Sequence, residues 1–323
     1  MTNAHAKPGA SHRIPEPAAP LKRRAPLPSE TPKAIQEDPE AMKRLAAIME
    51  NPGYRRADQD IDFIARDELR GVRLQLDYLK PEILLEQHGV DHAIVVFGGT
   101  RICEPSAARR NVEALCAAVS ACPDDEGLAR SLAAAQRILA SSKYYDVARA
   151  FGRLVGQANN AGAGRHTVIM TGGGPGVMEA ANRGAFDAGA KSVGLNINLP
   201  REQYPNPYVT PELCFSFHYF ALRKLHFLMR ALALVAFPGG YGTFDELFEV
   251  LTLVQTRKME PIPVVLVGES FWRKAIDFDF LVDEGVIDPE DSELFWFAET
   301  ADEIWDGILR WWEACAKPLP FHP

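Results

Sequence analysis

The clearest regularity along the chain is a repeated change of period. A short continuous apolar run gives way to a glycine loop and then to a longer stretch with helical spacing of its apolar positions. Ala93–Phe97 leads into Gly98-Gly99-Thr100-Arg101, and Thr167–Met170 into Thr171-Gly172-Gly173-Gly174-Pro175-Gly176. Leu232–Phe237 leads into Pro238-Gly239-Gly240-Tyr241-Gly242-Thr243. Runs rich in branched residues and too short for helices read as strands buried on both faces. Ser192–Asn196 and Pro263–Val267 read the same way. Between them the spacing predicts helices through the alanine-rich stretch to about Ala140, then over Tyr144–Gln157, Val177–Ala188, His218–Ala231, Phe244–Thr256, Phe271–Glu284 and Ala301–Cys315. Strands alternating with helices in this way predict an α/β fold built on a doubly wound parallel sheet.

Before the first strand the pattern differs. Residues 1–36 carry Pro8, Pro15, Pro17, Pro20, Pro26, Pro28 and Pro32 among alanines, which interrupts any period and predicts a disordered arm. Residues 37–90 are expected to form a helical extension, with one helix from Asp38 to about Asn51 and another from Asp60 to about Tyr78. The main domain is then residues 91–323, closed by C-terminal helices.

Composition narrows the function. The 323 residues are 47% hydrophobic and 24% charged, as in an ordinary globular protein, and the net charge of −8 argues against a nucleic-acid partner. No apolar run approaches the roughly 20 residues that span a bilayer, and no signal-peptide pattern follows the basic Lys22-Arg23-Arg24, so a cytoplasmic protein without a membrane partner is expected. Five cysteines at irregular spacing suggest reduced thiols and neither a disulfide framework nor a zinc site. His218 and His226 have no Cys or carboxylate at ligand spacing, so no metal is expected.

Two loops, at 171–176 and 238–243, sit between a strand and a helix, where backbone N–H groups and a helix N-terminus can hold a phosphate. Neither fits a Walker loop, since no Lys precedes Thr243, and the first only loosely resembles a dinucleotide loop. Glu246 has two competing readings. Thr243-Phe244-Asp245-Glu246 fits a capping box, which the local sequence favours. A carboxylate just after a phosphate loop also lies at the sheet edge where α/β ligands bind. Asp245 is the lesser candidate. Arg223 and Lys224 read locally as a solvated basic edge, and Tyr144, Tyr145, Tyr219 and Phe220 as packing residues.

The segment Pro238-Gly239-Gly240-Tyr241-Gly242-Thr243-Phe244-Asp245-Glu246 resembles the P-G-G-x-G-T-x-x-E signature of the LONELY GUY family, the cytokinin riboside 5′-monophosphate phosphoribohydrolases. Arg223-Lys224 resembles the family's Arg-Lys pair, Gly172 to Met178 its first glycine motif, and Gly98 to Arg101 its early strand-end loop. The resemblance covers roughly residues 90–270, and the terminal extensions look like the larger bacterial branch; the stretch between Arg101 and Tyr144 is longer than usual. It implies a Rossmann-like fold, a catalytic pair Arg223 and Glu246, and substrate contacts from Gly98, Arg101, Gly172, Gly173, Gly174, Lys224, Gly239, Gly240, Gly242 and Thr243. The resemblance also implies hydrolysis of the N-glycosidic bond of AMP or an N6-substituted AMP, with no cofactor, in a homo-oligomer whose minimum unit is a dimer, a hexamer being the larger form. Such proteins have often been labelled lysine decarboxylases, but no residue pattern here points to a pyridoxal phosphate lysine. The non-enzymatic alternative is a nucleotide or molybdenum-cofactor carrier.

Overall fold

The computed structural model describes residues 25–161, 166–199 and 204–315. The chain divides into two compact units, one ending at Leu69 and one beginning at Arg70. In the first unit a helix covers Ala41–Glu50, with single turns at Pro28–Glu30, Pro52–Tyr54, Ala57–Gln59 and Asp67–Leu69 and a short helix at Ile61–Ile64. No apolar side chain is buried among its described residues. Of the stretch expected to be disordered, residues 1–24 lie outside the described residues, and 25–36 are exposed throughout.

The second unit is built on seven parallel strands: β1 (Val90–Phe97), β2 (His166–Thr171), β3 (Ser192–Ile197), β4 (Cys214–Phe217), β5 (Ala231–Ala236), β6 (Val264–Val267) and β7 (Trp296–Ala298). Their order is β4-β3-β2-β1-β5-β6-β7, with helices on both faces, so the doubly wound, Rossmann-like α/β architecture holds. Alternation within β1 shows why. Ile94 and Val96 enter the core shared with helices Lys143–Ala161, Val177–Asp187 and Ala301–Ala314. Ala93, Val95 and Phe97 enter the opposite core, against helices Arg70–Gln87, Phe220–Met229 and Tyr241–Gln255. A strand with apolar residues on both faces has nowhere to sit except the middle of such a sheet.

β4 and β7 are absent from the sequence reading. Both are edge strands of four and three residues, too short to show a period. The helix expected to end near Tyr78 instead runs over Arg70–Gln87 and continues through Pro81. Pro81 and Leu85 are both buried, and tertiary packing offsets the hydrogen bond that the proline cannot donate. The long segment after Arg101 forms a helical hairpin, Pro105–Ala121 and Glu126–Ser141, with the Asp125 carboxylate accepting from the N–H groups of Gly127 and Leu128.

The strand order reverses between β1 and β5. The chain leaves β1 for β2 on one side and returns from β4 to β5 on the other. Val96 pairs with Thr171, and Phe97 with Ala236, so the three glycine loops start level at the carboxyl edge of the sheet. That crevice is where open α/β sheets bind ligands.

Candidate active site

The three loops lock together through their backbones. Phe237 donates to the Phe97 carbonyl at 2.8 Å, Gly99 to Pro238 at 2.9 Å, and Val177 to Gly99 at 3.3 Å. Gly176 has φ +77°, and a Cβ there would strike the Gly99 carbonyl, so both conformation and space require glycine. A Cβ on Gly98 would come within 2.6 Å of Val177. A buried polar cluster supports the second loop from below. The Thr171 hydroxyl donates to Asn182 at 2.7 Å and accepts from Gly173 N–H at 2.9 Å, while the Asn206 amide donates to Gly174 and Asn182, each at 3.0 Å.

The third loop settles the capping question. The helix begins at Tyr241 with Gly240 as its N-cap, so Thr243 is its third residue and Glu246 lies in its second turn. The expected capping box does not form, because the chain turns into the helix directly after the short segment following β5. Thr243 and Phe244 donate back to the Gly240 carbonyl at 2.9 and 3.2 Å. The N–H groups of Tyr241 and Gly242 have no partner among the described residues, and the Thr243 side chain folds over Gly239. A helix N-terminus without a side-chain cap presents free donors and the positive end of the helix dipole, which suits an anion.

Glu246 is 4% exposed. Its Oε1 lies 3.8 Å from Arg223 Nη1, and its Oε2 lies 3.5 Å from Lys224 Nζ. Burial raises its pKa to about 7 against the opposing pull of Lys224 and Arg223, with Glu249 and Asp245 reinforcing burial. Arg223 donates from Nε to the Leu195 carbonyl at 2.6 Å, and its guanidinium stands 5.0 Å from the Phe227 ring centre and against Gly172. Burial lowers its pKa while Glu246 and Asp245 oppose, yet a guanidinium stays charged. Lys224 is held among three carboxylates, at 2.8 Å from Glu249, 3.1 Å from Asp245 and 3.5 Å from Glu246. Burial depresses the Lys224 ammonium, but those carboxylates outweigh it and carry its pKa upward.

These groups surround a cavity of about 310 Å³. Of the residues the sequence singled out, Gly98, Gly172, Gly240, Gly242, Thr243, Arg223 and Glu246 line it. Arg101, Gly173, Gly174, Lys224 and Gly239 are not on its wall. Gly173 and Gly174 serve the support beneath the loop, Gly239 makes room for Thr243, and Lys224 is spent on the carboxylates. The sequence reading missed the apolar side of the cavity, formed by Phe97, Met178, Ile197, Leu199 and Phe220. Phe220, read as packing, is half exposed there, and its position three residues before Arg223 on one helix was the available signal. Asp245 also reaches the wall. Tyr144 and Tyr145 are buried away from the cavity, as packing residues are.

Fold and site together define a Rossmann-like protein with a glycine-lined cleft, one wall of it an uncapped helix N-terminus, at the switch point of its sheet. A family model described as "Possible lysine decarboxylase" matches residues 178–308. A probable cytokinin riboside 5′-monophosphate phosphoribohydrolase of Oryza sativa subsp. japonica is 28% identical over 167 residues, covering 48% of this chain and 70% of the relative. A cytokinin riboside 5′-monophosphate phosphoribohydrolase of Arabidopsis thaliana is 29% identical over 140 residues, covering 42% of this chain and 64% of the relative. A further probable rice enzyme of the same description is 31% identical over 141 residues, covering 42% and 56%. Over this part of its length the chain is similar to the cytokinin riboside 5′-monophosphate phosphoribohydrolases. The structure of the Moco carrier protein from Chlamydomonas reinhardtii aligns over 69% of this chain and 99% of that one at 19% identity and a TM-score of 0.41, too low for its ligand to bear on this chain. No helix among the described residues is long and apolar enough to cross a membrane.

Proposed function

We propose that the chain is a nucleoside 5′-monophosphate phosphoribohydrolase, releasing a free base and ribose 5-phosphate from AMP or an N6-substituted AMP such as a cytokinin ribotide. The observation that carries this reading is the buried Glu246 beside Arg223, facing a cavity whose other wall is an uncapped helix N-terminus. The phosphate rests on the N–H groups of Tyr241 and Gly242 with the Thr243 hydroxyl beside them, which fixes the ribose over Glu246. The apolar wall of Met178, Ile197 and Phe220 takes the base.

Water then adds to the anomeric carbon as the bond to the base nitrogen breaks. The base departs with the bonding electrons and is protonated from solvent, while water gives one proton to the Glu246 carboxylate, which returns it to solvent after the product leaves. A carboxylate that burial makes uncomfortable in the resting protein is well placed to favour an oxocarbenium-like sugar, whose positive charge appears only as the bond breaks. Arg223 orients the substrate and donates to the departing base or ribose. No residue in this scheme calls on a cofactor. The relatives' description supports the substrate class, and a homo-oligomer with a dimer as its minimum unit is part of the same proposal.

The test is base release from AMP, GMP, CMP, UMP and isopentenyladenosine monophosphate, with nucleotide binding measured in parallel by calorimetry. Release from the adenine nucleotides, lost in folded Glu246→Gln and Arg223→Ala, supports the reading. Tight binding without release from any nucleotide overturns it in favour of a carrier.

A further inference from the structure

The helix Arg70–Gln87 lies outside the residues matched by the family model, yet it touches the helix that carries Arg223 at both ends. β4 ends at Phe217 and the helix Phe220–Met229 starts three residues later, so the turn has no room for a local cap, and the N-cap residue Tyr219 makes no side-chain cap bond. The N–H groups of His218 and Tyr219 lie between strand and helix and need acceptors. Asp77 supplies them. Its carboxylate accepts from His218 N–H at 3.0 Å and from Tyr219 N–H at 2.9 Å, both through Oδ2. Arg73, one turn earlier, donates from Nε to the Tyr219 hydroxyl at 3.3 Å. At the far end Glu82 accepts from both terminal nitrogens of Arg230 and lies 3.1 Å from His226 Nδ1, while Arg230 Nε donates to the Val90 carbonyl at 3.1 Å.

The two ends differ in what they reach. Tyr219 receives the first helical bond from Arg223 N–H at 3.2 Å, and Phe220 on the cavity wall follows it directly. Charge-assisted bonds from Asp77 to the amides at this start therefore fix the azimuth and height of the first turn, from which both side chains enter the cavity. Glu82 anchors the last turn, beyond the site. We infer that Asp77 is a positioning residue for the candidate active site, an acceptor delivered by a separate helix that sets the start of the Phe220–Met229 helix and with it Arg223 and Phe220. This inference rests on the proposed function only where Arg223 is given a chemical role.

The test compares Asp77→Ala, Asp77→Asn and Glu82→Ala in the full chain, reading thermal stability, kcat and KM for AMP, and amide hydrogen exchange by segment. Asp77→Ala is expected to speed exchange over 219–224 and to lower kcat about 10- to 100-fold. Its KM is expected to stay within about threefold, because the helix N-terminus at Tyr241 is untouched. Asp77→Asn keeps one acceptor oxygen and is expected to recover most of kcat. Glu82→Ala is expected to lose stability without the drop in kcat. Unchanged exchange over 219–224 in Asp77→Ala, or an equal fall of kcat in Asp77→Ala and Glu82→Ala, would overturn the assignment. If the unmodified chain releases base from no nucleotide, the enzymatic reading fails while the exchange data still decide the role of Asp77.

Discussion

Glu246 Oε1 and Arg223 Nη1 stand 3.8 Å apart, beyond hydrogen-bonding distance and well within strong electrostatic coupling. Arg223 is kept from closing the gap by its bond to the Leu195 carbonyl, and Glu246 by its place in the second helical turn. The separation leaves the carboxylate without a direct Arg223 hydrogen bond and open to the cavity.

Replacing Glu246 with Gln keeps the shape and removes the charge. Base release is expected to fall about 10²- to 10⁴-fold in kcat with KM little changed, as for a group acting mainly in the transition state. A steady-state assay on AMP checks it; a rise in KM at constant kcat would assign Glu246 to binding alone.

The same substitution has a signature in stability. Glu246 has a pKa of about 7 in the folded chain against an ordinary value of 4.5, so the folded state holds its proton more tightly than the unfolded one. Its stabilising contribution is full below about pH 4.5 and is lost as pH rises through about 7. Relative to wild type, Glu246→Gln is therefore expected to gain stability across that window, by at most roughly 3 kcal/mol. Parallel urea titrations at pH 5 and pH 8 measure the difference, and a constant gap between the two proteins would contradict the raised pKa.

Lys224 tunes this group. With the ionised carboxylate as the working form, activity is expected to rise with pH through about 7. Lys224→Met removes the cation shared by Asp245, Glu246 and Glu249, which should move the acid limb of kcat/KM to higher pH. An unshifted limb in a folded variant would show that Lys224 does not act on Glu246.

Gly239→Ala tests the phosphate side. The new Cβ would collide with the Thr243 side chain and push its hydroxyl from beside the helix N-terminus. KM for AMP is expected to rise about tenfold or more through loss of a hydrogen bond to a charged group. Calorimetric titration with ribose 5-phosphate should show the same loss without turnover.

Asn182→Ala tests the support beneath the first glycine motif. It leaves the Thr171 hydroxyl and one Asn206 bond unmatched in a fully buried site, at an expected cost of about 1–3 kcal/mol. Thermal unfolding measures it, and a neutral result would mean that the site repacks.

Much of this was legible in the chain. Apolar runs ending in glycine marked β1, β2 and β5 because a strand buried on both faces must be apolar throughout, and the loops at their carboxyl ends followed. β4 and β7 were not legible, since three or four residues at a sheet edge carry no period. Nor was the end of the Arg70–Gln87 helix, which runs past Tyr78 and through Pro81 because Pro81 and Leu85 are buried against the core.

Glu246 divides what the two levels decide. The sequence by itself determined the residue types: a helix-forming segment after a glycine loop, with a carboxylate, a threonine and an upstream Arg-Lys pair. It left the carboxylate free to be a helix cap. Only the tertiary structure decided otherwise, because the helix starts at Tyr241 and turns Glu246 inward, while strand order brings a second helix with Arg223 and Lys224 to meet it. Local sequence sets propensities along the chain, but burial, and with it the raised pKa, exists only where distant segments remove water together.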